Sequence, residues 1–427
     1  MQTLHEQKFR NGEVHQWYRI ILGFSDHLVD GLLSEFKLQS GANVLDPFCG
    51  SGTTLVECMK RGINAWGLDA NPSSCFAARV KTTWSLNEKS IREYSARATR
   101  NFRRLRKVDD LKTDTFYKYL RSSGMINRGW ITRKSALDAA ALKRAITGLR
   151  APQKYRDILL LATANELVNR VSNVKFGPEL YCSKTKTTIE MVTAFAKAVD
   201  LICEDLSPTA SVKAGRAQVL EFDSRAFNLK SLRGPAGGFD AIITSPPYPT
   251  EHDYTRNSRL ELAFFEAVYD RDSLRRIKKQ MIRSHTKGLY MTDNDRELVC
   301  SHEEIQKLAL EVSVKAQEKT HGFARLYSTV VKEYFGGMKR HFECAFNSLR
   351  EDGLCAYVVG DQASYLQVPI STAKLLASIA EEVGFTVVEI RKWRDRISTT
   401  SRRYLDEHIL ILKKPPIKKN YAKNQSS

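Results

Sequence analysis

The apolar and polar positions of this chain change period several times, and the changes mark out its elements. In "QWYRIILGFSDHLVDGLLSEF" apolar residues fall at helical spacing, with Ser25 at the N-cap position. From Asn43 the pattern predicts a short apolar strand running into a glycine turn ("NVLDPFCGSG"), then a helix closed by Gly62 ("TTLVECMKRG"). A second strand ending in an acid follows ("INAWGLDANP"), and another helix begins near Pro72, which together make a β-α-β-α unit. Residues 85–210 show no strand period; "SALDAAALKRAITGLR" and "YRDILLLATANELVNRVSN" repeat apolar residues at three and four, as a helical insertion would. Strands resume with "AQVLEFDS" and "FDAIITS" and stop again over residues 257–320, a polar second insertion of helix and loop. Residues 321–415 alternate helix and strand, the last two strands able to pair as a hairpin, and residues 416–427 form a basic tail expected to be disordered.

Without the insertions, residues 1–84, 211–256 and 321–415 hold seven strand candidates, marked by Val44, Ala65, Val219, Ala241, Leu354, Val387 and Ile409. With helices between most of them, the predicted fold is α/β: a doubly wound, seven-stranded, mostly parallel sheet with its last strand reversed.

Composition narrows the setting. At 427 residues and 42% hydrophobic, the chain can bury a sizeable core. No apolar run approaches the ~20 residues needed to cross a bilayer, and the N-terminus lacks the apolar segment of a signal peptide, so a cytoplasmic protein without membrane association is expected. Eight scattered cysteines without a Cys-x-x-Cys pair suggest reduced thiols, with neither a disulfide framework nor a metal site. The formal charge of +19 favours a polyanionic partner. Between Arg79 and Arg150 there are nineteen basic and six acidic residues, so the surplus concentrates in the first insertion.

In a doubly wound sheet, ligands bind beyond the carboxyl ends of the strands near the switch in strand order. The first such turn is "DPFCGSGTT", where Gly50 and Gly52 permit positive φ and close backbone approach. It lacks both G-x-G-x-x-G and the P-loop Gly-Lys-Ser/Thr, so neither NAD binding nor ATP hydrolysis is supported. About twenty residues on, Asp69 ends the second strand, where a carboxylate accepts hydrogen bonds from ribose hydroxyls; capping of the following helix is the alternative. Asp223 holds the equivalent place after the third strand, suited to an adenine amino group, with Phe222 alongside the base.

"VLDPFCGSGTTLVE" together with "ITSPPY" resembles the S-adenosylmethionine-dependent DNA amino-methyltransferases, which methylate cytosine N4 or adenine N6. The matched segments cover roughly half of the chain and leave both insertions outside. The resemblance implies that Asp46, Pro47, Phe48, Gly50, Gly52 and Thr53 surround the methionine part of the cofactor and that Asp69 is the ribose acid. It also implies that Phe24 and Ser25 close over the cofactor, as in members whose cofactor motif precedes the catalytic one.

Methyl transfer to a base amine requires that the nitrogen lone pair, delocalised into the ring, be drawn out. A side-chain acceptor and a main-chain carbonyl, each holding one amine hydrogen, position the nitrogen and stabilise its developing positive charge. By resemblance Ser245 and Pro246 supply these acceptors, Pro247 stiffens the loop, and Tyr248 stacks on a target base taken out of the duplex. An isolated Ser-Pro-Pro-Tyr is more often a strand-ending loop; its position at the fourth strand, paired with the glycine turn, points to chemistry. In the family resembled, serine in the first position is common in the cytosine-N4 group and aspartate or asparagine usual in the adenine-N6 group, so the resemblance implies cytosine N4 ahead of adenine N6. C5 methylation would need a Pro-Cys nucleophile, and the sequence has none. His252, Asp253, Tyr254 and Arg256 are further candidates near the base pocket.

The expected partner is double-stranded DNA, in a restriction-modification or defence role, with any restriction endonuclease a separately encoded protein. Motif order favours the first insertion for recognition, with "RRIKKQMIRSHTKGLY" of the second as the other candidate. An RNA base-amine methyltransferase and an inactive nucleic-acid-binding subunit are the alternatives carried forward.

Overall fold

In the first strand of the sheet, β1 (Asn43–Asp46), Val44 and Leu45 are both wholly buried although their side chains point to opposite faces. That is the signature of a strand covered on both sides. The computed structural model describes residues 14–18, 23–176, 180–183, 189–209, 214–318, 322–397 and 404–416. The tail expected to be disordered, residues 416–427, lies outside them except for its first residue, Pro416.

Six more strands complete the sheet: β2 (Asn64–Asp69), β3 (Ala217–Glu221), β4 (Phe239–Thr244), β5 (Leu349–Gly360), β6 (Thr386–Ile397) and β7 (Tyr404–Lys413). In space they run β3-β2-β1-β4-β5-β7-β6. The first five are parallel, and β7 runs antiparallel to both β5 and β6. This is the doubly wound, seven-stranded sheet expected, hairpin included. Its side chains alternate between two cores. Val44, Ala241, Ile243, Ile409 and Ile411 pack against α1 (Asp26–Glu35), α2 (Thr53–Lys60) and α3 (Pro72–Lys81). Leu45, Ile242, Leu410 and Leu412 face the opposite way, toward the helices Tyr327–Ser348 and Thr372–Val383.

The first insertion packs around a core that it shares with Ala77 and Val80 of α3 and with Leu262, Phe264 and Ile277 of the second insertion. Helices Glu88–Leu105, Thr115–Ser122, Arg133–Thr147, Gln153–Glu166 and Met191–Thr209 bury residues such as Phe102, Phe116, Leu142, Leu159 and Phe195. One correction applies here: Val174–Phe176 pairs antiparallel with Leu180–Cys182 inside a segment that showed no strand period. Strands of three residues are too short to display an alternation, and Phe176 and Tyr181 point to solvent. The second insertion is helix and loop, as expected, with the helices Arg271–Lys279 and Glu303–Gln317. All eight cysteines are unpaired. Among the described residues no helix is long and apolar enough to cross a membrane.

Strand order reverses between β1 and β4, so the turns that follow them open into one crevice. The register Val44↔Ala241 and Leu45↔Ile242 brings Asp46 beside Thr244, whose hydroxyl donates to the Asp46 carboxylate at 2.6 Å. The two sequence motifs thereby meet through a buried hydrogen bond.

Candidate active site

The glycine turn is held from below and from the side. Asp46, 1% exposed, accepts from Thr244 Oγ1 and from the Phe48 N–H at 3.1 Å. The Cys49 N–H donates to the Leu68 carbonyl at 2.8 Å, tying the turn to β2. Gly50 and Gly52 both have positive φ, 50° and 88°. At Gly52 a Cβ would also come within 3.0 Å of the Ala78 Cβ, so only glycine lets α2 start this close to α3. Asp69 accepts from the Gly50 N–H at 2.9 Å on one oxygen and from the Asn71 N–H at 2.7 Å on the other. Each oxygen keeps further acceptor capacity. Burial pushes the carboxyls of Asp46 and Asp69 up to about 6, outweighing the hydrogen bonds that favour their charged forms.

The loop after β4 is equally constrained. The Ser245 hydroxyl donates to the Val358 carbonyl on β5 at 3.0 Å. The Pro247 carbonyl accepts from Tyr334 Oη at 2.8 Å, and the Tyr248 N–H donates to Tyr254 Oη at 2.9 Å. Tyr248 Oη donates to Glu407 Oε1 at 2.6 Å, and the second oxygen of Glu407 takes the Nε–H of Arg394. Glu407 is 3% exposed, so the acid of this ion pair is buried while Arg394 stays half-buried. Gly360 closes the other approach, since a Cβ there would lie 3.0 Å from the ring carbon Cε2 of Tyr248. The Arg396 guanidinium stands 5.5 Å from the ring centroid.

Both loops line one cavity of about 720 Å³, within the range that takes a cofactor together with a nucleobase. Of the residues singled out from sequence, Phe24, Pro47, Phe48, Gly50, Thr53, Asp69 and Ser245 to Tyr248 line it. Ser25, Asp46 and Gly52 do not reach it: Ser25 caps α1 by accepting from the Leu28 N–H, while Asp46 and Gly52 shape the turn from behind.

Asp223 requires a correction. It is not brought to the cavity, because Arg225 clasps both of its oxygens, at 2.9 and 2.7 Å, and bonds Asp295 as well. Ser224 lines the cavity there, and Phe222 packs into the core instead of lying along it. Among the four further candidates, His252 and Tyr254 line the cavity. Asp253 caps the helix Tyr254–Asn257 and pairs with Lys278 at 2.6 Å; burial raises its pKa, but the lysine outweighs that and holds it down at about 2. Arg256 reaches the Leu180 carbonyl at 3.5 Å.

Sequence reasoning passed over Glu407, Arg394, Arg396 and Tyr334, which lie far along the chain in strand or helix and carry no local signal. The first insertion stands back from the cavity. No described residue of 85–210 lines it, whereas Lys278, Met281, Arg283, Ser284, His285 and Gly288 of the second insertion do. Away from the cavity, His15, Asp26 and Glu57 form a buried group with metal-ligand spacing. Glu57 Oε1 in that group is already shared by His15 Nε2 and the Lys60 ammonium, each at 2.7 Å.

Residues 18–79, which span α1 to α3, match the family model described as DNA methylase. The chain is 26% identical over 439 residues to Type II methyltransferase M.BsoBI of Geobacillus stearothermophilus, covering 93% of this chain and 83% of that protein. It is 24% identical over 454 residues to Type II methyltransferase M.AvaI of a Nostoc strain, covering 94% and 86%. A 78-residue stretch is 41% identical to Type II methyltransferase M.MjaII of Methanocaldococcus jannaschii, covering 18% of this chain and 14% of that one. The matched turn, the acid that ends β2 and the Ser-Pro-Pro-Tyr loop share one crevice of a seven-stranded sheet, and on these findings the chain is similar to the DNA amino-methyltransferases, with its glycine turn ahead of its Ser-Pro-Pro-Tyr loop.

Proposed function

We propose that the protein is a site-specific DNA methyltransferase acting on the exocyclic amine of a base turned out of the duplex, cytosine N4 in preference to adenine N6. The observation that carries this reading is the Ser245 hydroxyl. Its hydrogen is committed to the Val358 carbonyl at 3.0 Å, so toward the cavity its oxygen is an acceptor. An acceptor is what an amine with two hydrogens requires.

S-Adenosylmethionine, the methyl donor of the family, supplies an electrophilic methyl group on a positively charged sulfur. The cavity suits it in donor set: Gly50 brings bare backbone to the wall, and Asp69 presents spare acceptor capacity to ribose hydroxyls. Phe24 and Phe48 offer apolar walls on that side. Ser245 Oγ and the Pro246 carbonyl would each take one amine hydrogen, directing the nitrogen lone pair at the methyl carbon and stabilising the charge that develops as the new N–C bond replaces the C–S bond. The surplus amine proton then passes to water.

Tyr248 would stack on the base, and its ring is fixed for this by Glu407 and Arg394 behind it. Serine rather than aspartate at the head of the tetrad supports cytosine N4. The likeness to Type II enzymes supports a place in a restriction-modification pair, any endonuclease being another protein.

The test is to map modified bases in DNA from cells expressing the wild type or Ser245→Ala. N4-methylcytosine at one short sequence is expected from the wild type alone, with cofactor binding by calorimetry equal in both. Normal methylation by Ser245→Ala, or label transfer to RNA only, would overturn the reading.

A further inference from the structure

The cavity wall between Lys278 and Gly288 belongs to a rim segment whose chemistry the transfer step does not use. The helix Arg271–Lys279 starts on a reciprocal Asp270/Ser273 cap and turns Ser273 and Ile277 inward. Arg271, Arg275, Arg276 and Lys279 are left exposed, and Lys287 is exposed a few residues on. None of these five is held in a salt bridge among the described residues; Arg276 reaches only the Tyr269 hydroxyl, at 3.1 Å.

Between the helix and Lys287 the chain passes along the cavity wall at Arg283, Ser284 and His285, and then makes a tight turn. The Asp293 N–H donates to the Tyr290 carbonyl at 3.0 Å, and the Tyr290 N–H donates to Asp293 Oδ2 at 2.8 Å. Both anchors are immobilised. Arg283 grips the two Asp293 oxygens at 2.8 Å each, while Arg275, Arg283 and Lys279 stand 5.1, 5.3 and 5.5 Å from the Tyr290 ring. At the tip of this turn Met291 is 103% exposed. Gly288, three residues before it, lines the cavity, so the tip lies within roughly 11 Å of chain from the site.

A single exposed apolar side chain is ordinary. One carried on a buttressed turn three residues from the cavity-lining Gly288, in a segment whose exposed Arg271, Arg275, Arg276, Lys279 and Lys287 stand outside the salt bridges among the described residues, has the composition of a surface built for a stacked polyanion. We propose that this rim seats the duplex on either side of the turned-out nucleotide, with Arg271, Arg275, Arg276, Lys279 and Lys287 on phosphates and Met291 entering the base stack where the target base has left, a role that rests on the base-amine methylation proposed above. Met is unbranched and polarizable, suited to a gap between bases, and an apolar wedge offsets part of the unstacking cost.

The experiment uses the full chain and duplexes carrying the site found by base mapping. Met291→Ala should lower kcat/KM on the paired duplex by about ten-fold, and should recover to within about three-fold of wild type when the target base is mispaired, because a mispaired base is cheap to extrude. Met291→Leu should stay near wild type. Arg271→Glu with Lys287→Glu should reduce the slope of log affinity for DNA against log salt by roughly two, with cofactor affinity by calorimetry unchanged. The proposal is overturned if Met291→Ala matches wild type on the paired duplex, if it loses as much on the mispaired one, or if the double variant keeps the wild-type salt slope. A wild-type protein that methylates no DNA would instead overturn the functional reading beneath it, so the two failures are distinguishable.

Discussion

Asp46→Asn should make the protein more stable at pH 8, although it alters a residue of the cofactor motif. The carboxylate is 1% exposed and hydrogen-bonded to Thr244 and the Phe48 N–H, yet burial still pushes it from 3.8 up to about 6. A folded value above the unfolded one means that the native chain binds this proton more tightly, so the contribution to stability is fully present below 3.8 and is lost as pH rises through about 6. At roughly 1.4 kcal/mol per pH unit of displacement, keeping Asp46 ionised at pH 8 costs the fold about 3 kcal/mol. Asparagine is nearly isosteric. Its amide oxygen can accept from Thr244 and Phe48, its NH₂ can donate to Thr54 Oγ1, and nothing titrates. Urea denaturation at pH 8 should place the variant above wild type by about 1–3 kcal/mol, the range allowing for imperfect amide geometry. By pH 5 the gap should shrink to about half, because wild-type Asp46 is then mostly protonated in the fold. Asp69 titrates in the same window and its charge adds to the rise at Asp46, so the difference reports Asp46 together with that coupling. A variant less stable than wild type at pH 8, or a gap that does not change with pH, would refute this account of the buried carboxyl.

Cofactor binding should release a proton near pH 6, since Asp69 stands at about 6 when free and ribose hydroxyls donate to its ionised form. Calorimetry in buffers of different ionisation enthalpy should detect the release, and affinity should fall as pH drops below about 6; Asp69→Asn should bind more weakly and without this pH dependence. Tyr248→Phe keeps the stacking ring but removes the 2.6 Å bond to Glu407, leaving a carboxylate oxygen buried with one partner fewer. It should cost about 1–3 kcal/mol in denaturation and raise KM for DNA more than it lowers kcat, whereas Tyr248→Ala should lose both.

The sheet was legible because parallel strands covered on both faces read as short apolar runs between turns, and every marker from Val44 to Ile409 falls inside its strand. The site was legible as far as it is local: a glycine turn that needs positive φ at Gly50 and Gly52, and a Ser-Pro-Pro-Tyr loop that cannot continue a ladder. Asp223 misled because a strand-end acid has the same sequence appearance whether it faces a ligand or a cation. Arg225, two residues later, was the available warning.

What pattern reading could not reach is the support that comes from across the chain. Glu407 and Arg394 alternate with other charged residues on the terminal hairpin and look like a solvated strand face; only the pairing Arg394↔Glu407 and the approach of Tyr248 turn them into a brace with its acid buried. The two insertions pose the same difficulty on a larger scale. Motif order and basic charge both favoured the first, but no described residue of the first lines the cavity, while the second, which shares the first insertion's core through Phe264 and Ile277, lines it between Lys278 and Gly288. Charge in a sequence reports an affinity for polyanions without reporting its direction. The strand order that brings Asp46 to Thr244 also decides on which side the crevice opens, and the insertion bordering that opening is the one whose Arg283 and His285 line the cavity and whose Met291 is fully exposed, so on the proposed reading a duplex approaches over it.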